Sequence, residues 1–165
     1  MTPTLHLHGL VREAEDLAWS RPADWLTLPA VIATDQKFVG LHAVFPHDSN
    51  FCAIQAVGDF TVDWGDGTAP ADFASGATAY HQFDYSAAAL VGTECSRGYR
   101  QAIVTVTPQA GQTLTSLTLT VKHNQSLLQA YSMGWLDIDL SAPSLTSLAV
   151  ANSATVLTKH LEQMK

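Results

Sequence analysis

The chain has 165 residues, enough for one full core or one domain with substantial additions. Charged residues make up only 14% of it against about 25% in ordinary soluble domains, and the formal net charge is −7 with just eight Lys and Arg. So few cations give no stripe for phosphate backbones and no patch for an anionic membrane, which excludes nucleic-acid and membrane-surface partners from the expectation.

In chain order, the first thirty residues lack the pattern of a strand set. Val11 to Trp19 is compatible with a helical turn that Arg21-Pro22 breaks. Trp19, Trp25, Leu26, Leu28 and Pro29 then form an apolar extended arm, expected to pack on the main domain or on another chain. The opening stretch holds His6, His8, Arg12, Glu13, Glu15 and Asp16, with no basic start and apolar run, so no signal peptide is read there. No run approaches the roughly 20 apolar residues of a membrane span.

From Lys37 the period becomes two. Val39, Leu41, Ala43 and Phe45 share one face of a run closed by Pro46, and a turn is expected over His47–Asn50. Further strands are predicted over Phe51–Val57, over Phe60, Val62 and Trp64, over Tyr80–Tyr85, over Ala102–Thr107, and through Leu117, Leu119 and Val121. Val91–Tyr99 reads as a long connection and Pro108–Gln112 as a hairpin turn. Short alternating runs separated by turn residues predict an antiparallel sandwich or barrel, with no αβα alternation.

Beyond Lys122, Leu136, Ile138 and Leu140 alternate with Asp137 and Asp139, and Leu145, Leu148 and Val150 follow an L-x-x-L-x-V spacing. Val156, Leu157, His160, Leu161 and Met164 fall on one helical face, with Ser153 as its N-cap. This strand–helix run has the leucine spacing of the start of a leucine-rich repeat, although one or two units establish no repeat. The expected organisation is therefore an arm over residues 1–36, a β-sandwich over 37–123, and a Leu-rich strand/helix segment over 124–165.

The sharpest local signal is Asp63-Trp64-Gly65-Asp66-Gly67-Thr68, a strand running into a tight Asp-Gly turn with Trp64 on the same face as Val62 and Phe60. This turn, the later His81-Gln82-Phe83-Asp84-Tyr85, and Gly98-Tyr99 leading into Ile103-Val104-Thr105-Val106-Thr107 resemble, in that order, the PKD domain family. The stretch between Tyr85 and Tyr99 is longer than the family pattern. The resemblance covers roughly Phe38 to Val121. It implies an immunoglobulin-like (PKD-type) sandwich serving as a spacer or as a protein- or glycan-contacting module, without catalysis and without a cofactor. With Trp19-Ser20-Arg21-Pro22-Ala23-Asp24-Trp25-Leu26 before the domain and a Leu-rich segment after it, the chain also resembles virion structural proteins of tailed bacteriophages. That likeness implies a non-enzymatic tail, fibre or neck component assembled in the host cytoplasm, with other virion proteins and copies of itself as partners. A glycan or host receptor is a further partner it allows. Trp19, Trp25 and Trp135 are the expected assembly contacts. The alternative is a carbohydrate- or receptor-binding module of a secreted bacterial protein, with an extracellular location and Tyr80, Tyr85, Tyr99 and Tyr131 as its platform.

Other chemistry is weaker. Asp63 and Asp66 lack the alternating oxygen ligands and closing Glu of a calcium loop, so turn stabilisation explains them better. Asp137 and Asp139 share a strand face that could line a groove or simply meet solvent. The pair His6 and His8 has no third ligand at local spacing, and His42, His47, His81, His123 and His160 are scattered. Cys52 reads as a small core residue, and one bridge to Cys95 is the lesser reading. No nucleophile elbow, phosphate loop or dinucleotide fingerprint occurs, so an enzyme is not expected.

Overall fold

A computed structural model describes residues 20–47, 50–119, 121 and 134–149. The expected helices over Val11–Trp19 and Val156–Met164, and the residues Trp19, His6, His8, His123, Tyr131, Val150 and His160, lie outside the described residues.

The chain is mainly β. Its strands are β1 (Lys37–Val44), β2 (Phe51–Val57), β3 (Phe60–Asp63), β4 (Ala71–Phe73), β5 (Thr78–Gln82), β6 (Arg100–Pro108), β7 (Ser116–Thr118), β8 (Trp135–Ser141) and β9 (Ser147–Ala149). One sheet has the order β4-β3-β6-β1-β8 and the other β5-β2-β7-β9. Phe38 and Val44 of β1, Cys52 and Ile54 of β2, Val104 and Val106 of β6, and Leu117 of β7 belong to one buried cluster between the sheets.

Strand β1 is the most deeply placed element, flanked by β6 on one side and β8 on the other. The alternating face Val39, Leu41 and Ala43 is indeed buried, but it points away from the second sheet: Leu41 and Ala43 pack with Trp25, Cys95, Tyr99 and Leu136 in a separate cluster. The opposite face, Phe38, Gly40, His42 and Val44, meets the core between the sheets. A central strand covered on both faces carries apolar residues at both parities, so alternation alone does not tell its inner side. Gly40 is required there, since a Cβ would lie 2.5 Å from the Trp135 ring. That indole lies edge-on to Phe38 and donates to the Leu119 carbonyl at 2.9 Å, tying β8 to the opposite layer.

Two expectations are corrected. The fold is not wholly antiparallel: β9 joins β7 in parallel, because the chain crosses from β7 to β8 in the other sheet and back again. The Pro108–Gln112 turn, closed by Gln112 N–H to Gln109 O at 2.9 Å, links β6 and β7 in different sheets and forms no hairpin. Of the Leu-rich stretch, residues 134–149 are described; they supply one strand to each sheet, and Leu140, Leu145 and Leu148 pack against the common core. Strand β4 went unread because its three residues follow Ala69-Pro70 with no alternation long enough to register.

The bend after β3 depends on backbone approach. Gly65 has φ +72, and a Cβ there would sit 2.2 Å from the Ile103 carbonyl oxygen of β6. Backbone cannot yield as a flexible side chain can. Gly65→Ala is therefore expected to destabilise the fold by roughly 2 kcal/mol or more in urea melts, combining left-handed strain with this clash. Gly76→Ala, also at positive φ but with open space around it, should cost less.

Candidate functional site

The Asp63–Thr68 turn and the segment from β5 meet in space. Trp64 is 3% exposed, and its indole stacks on the His81 ring at 4.8 Å with 9° between the planes. The His81 Nε2 lies 2.6 Å from Asp66 Oδ2, and the carboxylate can only accept, so that nitrogen carries the proton. The other carboxylate oxygen of Asp66 accepts from the Thr68 amide at 3.1 Å and the Thr68 hydroxyl at 2.7 Å. Asp63 caps the bend by accepting from the Gly65 amide at 3.0 Å. Gly67 takes φ +89 behind it. Asp63 and Asp66 thus face the turn's own donors, the role expected from their spacing.

Burial alone would raise the Asp66 pKa, but the bonds from Thr68 and His81 outweigh it and hold the carboxyl below its ordinary value. Its contribution to stability is therefore present above the ordinary carboxylate range and disappears as acid protonates the folded form. Removing a carboxylate that satisfies three donors should be costly. Asp66→Ala is expected to lose about 2–3 kcal/mol in chemical denaturation at neutral pH, with the penalty shrinking as acid, below the ordinary carboxylate range, protonates the folded wild-type side chain.

Next along the inner face, His81 lies edge-on to Phe83 at 4.8 Å, and Phe83 stacks on His42 at 5.0 Å. His42 is 2% exposed, and neither ring nitrogen has a hydrogen-bond partner among the described residues. Burial lowers its pKa to about 3, with the Ala43 backbone opposing more weakly and His81 adding to the fall. The ring fills the space beside Gly134, where a Cβ would come within 2.2 Å of it, at the bulge where β8 begins its pairing with β1. No sequence signal marked His42 apart from the other histidines.

On the outer face of the five-stranded sheet lies the arm. Trp25, 4% exposed, donates from Nε1 to the Tyr99 hydroxyl at 2.9 Å. Burial and the neighbouring Cys95 push that hydroxyl up to about 12, keeping it a neutral phenol. Arg21 bonds Asp137 at 2.7 Å, which places one of the two β8 carboxylates in an ion pair. Trp135 is 8% exposed. The indoles of Trp25 and Trp135 are thus buried against their own chain, the first of the two placements expected for the arm. Cys52 and Cys95 are buried in separate clusters and are not bridged to each other.

Among the described residues no three or more His, Cys, Asp or Glu side chains converge as metal ligands, and no helix is long and apolar enough to cross a membrane. Among the described residues, one open cleft of about 410 Å³ lies beside Pro46, Asn50 and Tyr85 and another of about 500 Å³ beside Ile32, Asp139 and Pro143. The architecture is that of a two-sheet, mainly β protein. Comparison with protein-family models, with curated proteins and with solved structures gave no match.

Proposed function

We propose that this chain is a non-enzymatic structural component of a bacteriophage virion, in the tail, fibre or neck, built on a PKD-type, immunoglobulin-like sandwich and acting through protein–protein contacts. The observation that carries the reading is the convergence of the three resembling segments. Trp64 and Asp66 of the turn both engage His81 of the second segment, and Gly65 abuts Ile103 of the third. Residues that look like a family signature in order along the chain thereby form one structural joint. The turn's polar groups are occupied in holding that joint, which suits a rigid spacer. A surface poor in charge suits burial against neighbours.

The glycan-platform alternative has less support. It needs a row of exposed tyrosines, yet Tyr99 is 5% exposed and bonded to Trp25, and the Arg100 guanidinium lies 4.5 Å over the Tyr85 ring. An antiserum against the recombinant chain tests the proposal. The chain should band with purified particles at a fixed ratio to known virion proteins. Its recovery only in the soluble lysate, with particles free of it, would overturn the reading.

A further inference from the structure

The outer face of the five-stranded sheet handles residues 20–28 as a bound peptide. Gln101, 1% exposed on β6, accepts from the Leu26 amide at 3.0 Å and donates to the Asp24 carbonyl at 2.9 Å. Its primary amide thus copies the donor–acceptor pair of a neighbouring strand. A second donation from the same amide nitrogen to the Thr93 carbonyl, at 2.9 Å, fixes its orientation. Trp25 enters a pocket of Leu41, Ala43, Cys95, Tyr99 and Leu136, and the Ser96 amide donates to Asp24 Oδ2 at 2.6 Å. Arg21 bonds Asp137 and also donates to the Trp25 and Leu26 carbonyls, folding the segment into the shape the groove accepts. An aromatic anchor, a flanking cation and a buried amide reading the backbone constitute a sequence-selective peptide groove.

We propose that this groove is an exchange site, occupied in the assembled state by residues 20–28 of a second copy of the chain. The proposal rests on the assembly reading above. The groove is the same in every copy, so a neighbour's segment makes identical contacts. The connector, residues 29–36, is held by a local turn between Ile32 and Asp35 and by one bond from the Leu114 amide to Gln36, with Ile32 61% exposed. Eight extended residues reach about 26–29 Å, enough to redirect the segment across a subunit boundary. A tether this short gives the chain's own segment an effective concentration of order millimolar. In dilute solution that favours the closed form. Neighbours packed at comparable local concentration compete on equal terms, and exchange becomes a low-cost route to linked subunits.

Two full-length variants test this by complementation. Trp25→Ala disables the segment and leaves the groove; Tyr99→Phe with Gln101→Ala disables the groove and leaves the segment. Native mass measurement should show a two-chain species in the mixture at least tenfold above either variant alone. Unchanged masses on mixing two folded variants would overturn the proposal. Should either variant not fold, the wild-type chain decides. Excess synthetic peptide with the sequence of residues 20–28 should accelerate hydrogen exchange of the Leu26 amide at least tenfold by displacing the resident segment. An unaltered rate at millimolar peptide refutes exchange. Both readouts concern dilute protein, so their failure leaves the particle experiment standing, and the reverse also holds.

Discussion

Trp64→Ala should unfold the chain at markedly lower urea, with a loss of about 3–5 kcal/mol. The indole is buried to 3% in the core between the sheets, and its departure removes both volume and the flat surface on which His81 lies. The His81–Asp66 contact would then border a cavity, and water entering there would weaken the bond that orients the turn. Trp64→Phe keeps a ring against His81 and should lose less than half as much. Equilibrium denaturation followed by far-ultraviolet circular dichroism measures both. A loss under about 1 kcal/mol for the alanine variant would mean that the side chain is solvated, contrary to its position here.

Acid should act through His42. Its folded pKa of about 3 lies below the ordinary 6.5, so between those values the unfolded chain binds a proton that the folded chain does not. The associated stability is fully present above pH 6.5 and declines as pH drops toward 3, by about 1.4 kcal/mol per unit at the steepest. Over the whole window this is roughly 4–5 kcal/mol, comparable with the entire stability of many domains. Asp66 adds its own loss only lower, as its carboxylate protonates. His42→Leu removes the unpaired nitrogens and should flatten the pH dependence between 4 and 6.5 while leaving neutral stability equal or higher. Thermal melts of both proteins from pH 4 to pH 8 give the comparison. Parallel curves would show that other groups carry the acid response.

The strands were largely legible because most are covered on one side only. Phe60, Val62 and Trp64 alternate with Thr61 and Asp63, and the structure places the former inside. β2, flanked by β5 and β7, was read to its observed ends. β1 was read as a strand, but its inner face was not, because the arm buries the side that a simple sandwich would expose. The turn was legible residue by residue, since its bonds run between positions two apart. The engagement of Asp66 with His81 spans fifteen residues, and that of Gln101 with Asp24 spans seventy-seven; such partners are chosen by topology, which no local pattern carries. Gln101 gave no sign beyond being a polar residue at the start of an apolar run. The destinations of β8 and β9, one to each sheet, were hidden for the same reason.

Those two destinations bear on how the protein is made. β8 closes one side of β1 and β9 lies against β7, so a nascent chain lacks the last strand of the five-stranded sheet until Ser141, and of the four-stranded sheet until Ala149, has been synthesised. Since a domain forms as a unit and pairings distant in sequence are slow to gather, the emerging polypeptide should remain a client of chaperones until both of those strands have left the ribosome. It should acquire protease resistance only after Ala149 has emerged, in one step.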